Sequence, residues 1–133
     1  MYVEITRKND AFHMEAEGDS SFPINIDASP NIGGVGAGAR PMELILMGLG
    51  SCSAIDVIQI LEKQKQVITS FQISIDADRV KEIPSVFSSI SICFKVTGGV
   101  DETKLKKAIS LSKDKYCSVS AMLHKTVKID YTY

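Results

Sequence analysis

The sequence predicts an α+β fold, ordered βββ-α-ββ-α-α-β, with antiparallel sheets around one long central helix. Three observations lead there. A single apolar stretch from Arg40 to about Gln66 opens on Pro41 and holds no further proline. Short alternating runs precede it, and two longer alternating runs follow. Strands grouped around a few helices, without regular β-α alternation, mark an α+β class. At 133 residues the chain, 1–133, is expected to be one domain.

Residues 1–27 read as an N-terminal meander. Residues 2–7 alternate weakly, 12–17 and 22–27 more clearly, and Pro23 suits an edge or a strand start. Asn9-Asp10 and Glu17-Gly18-Asp19-Ser20 supply the turns. Residues 28–40 form a glycine-rich loop, with Gly33, Gly34, Gly36 and Gly38, and are expected to be flexible. The loop lacks the Gly-Lys-Ser/Thr ending of a phosphate loop and the spacing of a dinucleotide fingerprint. The lesser alternative is a lid or ligand loop.

The central helix is expected over 41–66. Pro41 suits a first helical position, where its fixed φ helps and its missing N–H costs nothing. The first two-thirds are apolar on nearly every side, as in a helix buried on most faces. Gly48, Gly50, Ser51, Ser53 and Ala54 surround Cys52 and allow close approach by other backbone.

Residues 67–133 hold a hairpin, two helices and a last strand. Phe71, Ile73, Ile75 and Ala77 alternate with polar neighbours, as do Ile90, Ile92, Phe94 and Val96. This predicts two antiparallel strands with one wet face. Asp101 is a fitting N-cap, with Glu102 in the first turn of a helix running to about Lys115. A break at Tyr116-Cys117 precedes a short helix. Val127, Ile129 and Tyr131 then alternate in a final strand.

The composition excludes some functions. A net charge of -1 leaves no electrostatic footprint for nucleic acid or an anionic membrane. Residues Met1 to Asp10 carry no apolar run, so no signal peptide is expected. Glu43, Asp56 and Gln59 interrupt the apolar stretch and argue against a membrane span. Three cysteines without an export signal point to a reducing, cytoplasmic compartment.

The cysteines differ in setting. Cys93 lies on the outer face of a strand and is expected to be incidental. Cys52 is in mid-helix. Cys117 stands at a helix start, where free N–H groups favour a thiolate. Taken alone, Cys52 and Cys117 fit buried core residues as well as reactive thiols. Their separation in sequence neither brings them together nor keeps them apart. His13 and His124 sit on different elements, and no metal-ligand spacing occurs. No metal and no cofactor are therefore expected.

Arg40-Pro-Met-Glu-Leu-Ile-Leu-Met-Gly-Leu-Gly-Ser-Cys52-Ser-Ala-Ile-Asp-Val57 closely resembles the central-helix motif of the OsmC/Ohr superfamily. Tyr116-Cys117-Ser118-Val119-Ser120 resembles its second cysteine motif, and element order and length match over the whole chain. The nearest likeness is to a short subgroup whose helix starts Pro-Met-Glu-Leu. The resemblance implies an OsmC-like fold in an intertwined homodimer. It implies a thiol peroxidase that reduces organic hydroperoxides or hydrogen peroxide in oxidative stress. Cys52 would be the peroxidatic thiolate and pass through a sulfenate, and Cys117 would close a disulfide with it. An external dithiol reductant would reopen that disulfide.

Two departures accompany the resemblance. Active members hold the thiolate with an arginine and with a glutamate directly after the proline. Here Met42 follows Pro41 and the glutamate is Glu43. Nine residues are about 900° on an ideal helix, so Glu43 points half a turn away from Cys52. Arg40 is the first candidate for the arginine and Arg7 the second. Asp56, four residues after Cys52, shares its face, and a carboxylate there disfavours a thiolate unless neutralised. The predicted catalytic residues are Cys52, Cys117, Arg40 and Glu43. The alternative is a non-peroxidatic OsmC-like protein that binds a small apolar or thiol ligand at the dimer interface.

Overall fold

The computed structural model describes all residues, Met1–Tyr133. The chain groups into two compact units, Met1–Leu46 and Met47–Tyr133. The boundary falls within the central helix.

The first unit carries β1 (Val3–Arg7), β2 (Met14–Gly18) and β3 (Ile24–Ile26), an antiparallel sheet in the order β1-β2-β3. Ile5 pairs with Ala16, and Ala16 with Ile24. Asn9 builds the first turn, its side-chain oxygen accepting the N–H groups of Ala11 and His13. The Arg7 guanidinium is engaged in the same turn, donating to the carbonyls of Ala11 and Asp10.

The glycine-rich loop is more ordered than its composition suggests. Asp27, only 1% exposed, accepts the N–H groups of Ala28, Val35 and Ala37. The Ala37 N–H foremost, then those of Val35 and Ala28, hold the Asp27 carboxyl below its usual range against the opposing effect of burial. A bridge between Ile26 and Ala39 closes the loop, and Ser29 caps a single 3₁₀ turn, Pro30–Ile32. Gly34 and Gly38 are required for space. A Cβ on Gly34 would stand 1.9 Å from the Ala28 carbonyl oxygen, and one on Gly38 would stand 2.2 Å from Asn25 backbone. These glycines permit close backbone approach, so the flexible-loop expectation gives way to a carboxylate-pinned loop.

Helix α1 spans Pro41–Lys63. Its first turn is closed by the Glu43 carboxylate, which accepts the Arg40 N–H at 2.9 Å, one half of a capping box. The helix stops short of Gln66 because Lys65 turns left-handed, at φ 56°. The N–H groups of Lys65 and Gln66 then satisfy the carbonyls of Glu62 and Leu61. By length and composition α1 is apolar enough to cross a membrane, as core helices of other proteins also are. Leu49, Gly50, Ser53, Val57 and Leu61 form its buried stripe.

In the second unit β4 (Val67–Arg79) and β5 (Phe87–Gly99) make the expected hairpin, with Ile73 opposite Phe94 and Ile75 opposite Ile92. The strand β6 (Lys128–Thr132) departs from the all-antiparallel expectation and pairs with β5 in parallel. Two helices intervene between β5 and β6, which gives the chain the long crossover that a parallel return requires. They are α2 (Glu102–Leu111), capped by Asp101, and α3 (Ser118–Leu123). Between them Ser112–Tyr116 widens into a π turn, where continuous α-helix was expected to Lys115. Such turns are rare and recur at functional sites.

Ile90, Ile92 and Phe94 of β5 form the core with Leu49, Val57 and Leu61 of α1, each at most 1% exposed. Each such side chain contributes on the order of 1.5–3 kcal/mol. Gly50 brings α1 close to β4, since a Cβ there would meet Ile75 Cδ1 at 2.8 Å.

Candidate functional site: a paired thiol and carboxylate

The second unit brings Cys52 and Cys117 together. Cys52 projects from α1 and is half-buried. Cys117 joins the π turn to α3 and is 2% exposed. Asp56, one turn beyond Cys52 on the same face, completes the group. The two sulfurs and an Asp56 carboxylate oxygen all lie within 4.8 Å of one another. All three cysteines are free thiols.

Neighbouring serines fix Cys117 and Asp56. The Ser53 hydroxyl donates to Cys117 Sγ at 3.5 Å, and the Ser120 N–H donates to the same sulfur at 3.4 Å. Ser112, wholly buried in the π turn, donates its hydroxyl to Asp56 Oδ2 at 3.0 Å. The Cys117 N–H closes the π turn onto the Ser112 carbonyl at 2.8 Å. The widened turn therefore positions a sulfur on one side and a carboxylate partner on the other. The Ser120 hydroxyl pairs with the Tyr131 hydroxyl at 2.9 Å, and the Tyr131 ring stacks on Phe94.

Burial pushes the Cys117 thiol up, and the neighbouring Cys52 adds to this. Donation from Ser53 and Ser120 opposes it without prevailing. The helix-start position was expected to favour a thiolate, but α3 is short and desolvation outweighs its few N–H groups. Burial likewise raises the Tyr131 phenol.

Two cavities reach the group. One of about 280 Å³ is lined by Asp56, Gln59, Lys63, Gln64, Leu111 and Tyr116. The buried Gln64 Oε1 has no hydrogen-bond partner. The other, about 380 Å³, touches Cys117 and carries Lys113, Lys115, His124, Lys128 and Tyr131.

Of the four residues expected to act, the structure joins Cys52 and Cys117. Arg40 immediately precedes α1 and Glu43 stands in its first turn, both exposed, with the Glu43 carboxylate accepting the Arg40 N–H. Cys93 lies outside the group, opposite Ser74 in the hairpin. His13 bonds Asn25 and His124 bonds the Ser120 carbonyl. No metal-ligand spacing is visible in sequence, yet the fold assembles a set of three donor groups that could hold a cation. Sequence reasoning missed Ser53, Ser112, Ser120 and Tyr131, and treated Asp56 only as a departure. Ser53 and Ser120 lie inside the cysteine motifs and were findable; nothing in the sequence around Ser112 signals a π turn.

Residues 34–132 match the family model described as OsmC-like protein. The chain belongs to the OsmC/Ohr superfamily. This OsmC-like chain is 42% identical over 94 residues to Protein YhfA of Escherichia coli K12, covering 70% of each. It superposes on a hypothetical protein from Aquifex aeolicus VF5 with a TM-score of 0.87 and 30% identity, over 98% of this chain and 92% of the other. It shares its fold with a putative organic hydroperoxide resistance protein from Vibrio cholerae, solved with captopril in one of its active sites. There the TM-score is 0.72 and the identity 12%, over 99% and 90% of the two chains. The span matched by the OsmC-like family model includes α1 and both clustered cysteines.

Proposed function

We propose that this OsmC-like protein is a thiol peroxidase that reduces organic hydroperoxides or hydrogen peroxide through Cys52 and Cys117. The observation that carries the reading is the approach of the two sulfurs to within 4.8 Å. The Cys52 thiolate attacks the hydroperoxide, so an S–O bond forms and the O–O bond breaks. The alcohol, or water from hydrogen peroxide, leaves with a proton, and Cys52 becomes a sulfenic acid. Cys117 then attacks the Cys52 sulfur, gives up its proton, and water departs as the disulfide forms. An external dithiol restores both thiols and is itself oxidised to a disulfide.

The half-buried Cys52 suits the attacking role, and the enclosed Cys117, kept protonated by burial, suits the resolving one. In this proposal Arg40 and Glu43 order the helix start, Arg40 remaining the candidate partner for the thiolate. We propose a homodimer in a reducing, cytoplasmic setting. Met47 and Ile55 on α1 are more than half exposed, as are Val3, Ile5 and Ile24 of the first sheet. Apolar surface of this kind suits a second copy.

One observation favours a second reading, in which the dithiol pocket binds a small apolar or thiol ligand without reducing peroxide. The Asp56 carboxylate lies beside both sulfurs, and a carboxylate opposes negative charge on its neighbours. Adding one equivalent of organic hydroperoxide to the reduced protein separates the readings. Peroxidase chemistry consumes two thiols per chain in the native protein and none in Cys52→Ser. An unchanged thiol count in the native protein contradicts it.

A further inference from the structure

We propose that Cys52, Asp56 and Cys117, with both thiols reduced, form a binding site for a d¹⁰ divalent cation such as Zn²⁺, and that the disulfide abolishes it.

Three donors of the right chemistry converge. Two thiols and a carboxylate suit Zn²⁺ and its softer congener Cd²⁺ far better than Mg²⁺ or Ca²⁺. Cys52 and Asp56 are one helical turn apart on α1, a spacing that places both side chains on one face. Cys117 enters from the junction of the π turn and α3. Two sulfurs at about 2.3 Å from a tetrahedral Zn²⁺ are about 3.8 Å apart. The donor atoms already lie within 4.8 Å of one another, so side-chain rotation alone completes the closure. With three protein donors, the fourth position is open to water, as in three-ligand zinc sites.

The surroundings supply the outer contacts such sites need. Ser112 donates to Asp56 Oδ2 and so holds the carboxylate in place. Ser53 and the Ser120 N–H point donors at Cys117 Sγ, and donors there support a metal-bound thiolate. A pair of free thiols in a fold that also offers a fixed carboxylate is a more complete donor set than disulfide formation requires. Binding breaks two S–H bonds, forms two metal–sulfur bonds and releases two protons, with no change in oxidation state. Hydroperoxide and metal then compete for the same reduced pair, since a disulfide sulfur is a poor ligand. Metal occupancy does not depend on the proposed peroxidase activity.

The test is titration of the reduced, full-length protein with Cd²⁺, following the ultraviolet thiolate-to-cadmium charge-transfer band, then displacement by Zn²⁺. The expected result is saturation at one Cd²⁺ per chain, unchanged in Cys93→Ser and absent after oxidation to the disulfide. Asp56→Asn should weaken binding more than an outer-contact change such as Ser112→Ala, for which roughly 10- to 100-fold is expected. The native titration stands whether or not any variant folds. Absence of a saturable band, loss of the band in Cys93→Ser, or undiminished affinity in a folded Asp56→Asn overturns the site. Cd²⁺ binding by a protein whose thiols survive hydroperoxide supports the metal site and contradicts the peroxidase reading. Thiol oxidation without Cd²⁺ binding does the reverse.

Discussion

Ser112 Oγ donates to Asp56 Oδ2 at 3.0 Å, from a wholly buried position in the π turn. This bond joins the segment carrying Cys117 to the helix carrying Cys52. Hydrogen bonds to charged groups contribute about 1.5–3 kcal/mol. Ser112→Ala is therefore expected to lower stability by about that amount, read as a lower urea midpoint at unchanged slope.

Cys117→Ser should separate the two chemical steps. Cys52 still reacts with hydroperoxide, but the product stops at the sulfenic acid. Intact-mass measurement is expected to show one added oxygen, trapped by a sulfenate-specific reagent, with one thiol consumed per chain. Consumption of two thiols in this variant would assign resolution to another cysteine.

Disulfide formation should depend on pH in a predictable direction. Burial raises the Cys117 thiol above its ordinary value of 9.0. The rate of the second step is thus expected to keep rising with pH beyond the range where a free thiol has fully ionised. Stopped-flow measurement of that step in single turnovers gives the profile. A plateau well below pH 9 would contradict an enclosed resolving thiol.

Asp27 ties stability to acid pH. Its folded carboxyl titrates below the ordinary 3.8. The folded state therefore binds fewer protons than the unfolded state between the two values. The contribution is fully present above about 3.8 and is lost as pH falls through the lower, folded value. Asp27→Asn should flatten the fall of the urea midpoint in this acid range. An equally steep fall in the variant would place the sensitivity elsewhere.

Ile92, at 0% exposure in the middle strand of its sheet, should cost about 2–5 kcal/mol when replaced by alanine. Chemical denaturation measures it.

These particulars show what the sequence could convey. The alternation of Ile73 and Ile75 with Ile92 and Phe94 announced the hairpin, because a period of two survives any tertiary context. The long proline-free apolar run after Pro41 announced α1 by its length. Local chemistry could not disclose the parallel return of β6, which depends on where two intervening helices deliver the chain. The loop at 28–40 looked flexible because glycines are visible in sequence, whereas three N–H groups converging on Asp27 are not. At the site, the cysteine motifs pointed to Cys52 and Cys117. Asp56 was legible only as a same-face neighbour, because its partner Ser112 lies 56 residues away and in a π turn. Glu43 was legible from its place in the motif, whereas the bond its carboxylate accepts from the Arg40 N–H was not.

The most direct test of the redox pair is peptide mapping after one equivalent of organic hydroperoxide, with thiols blocked before digestion. The expected product is a peptide linked through Cys52 and Cys117 within one chain, with Cys93 recovered as the blocked thiol. A linkage through Cys93, or Cys52 and Cys117 both recovered as blocked thiols, would contradict it.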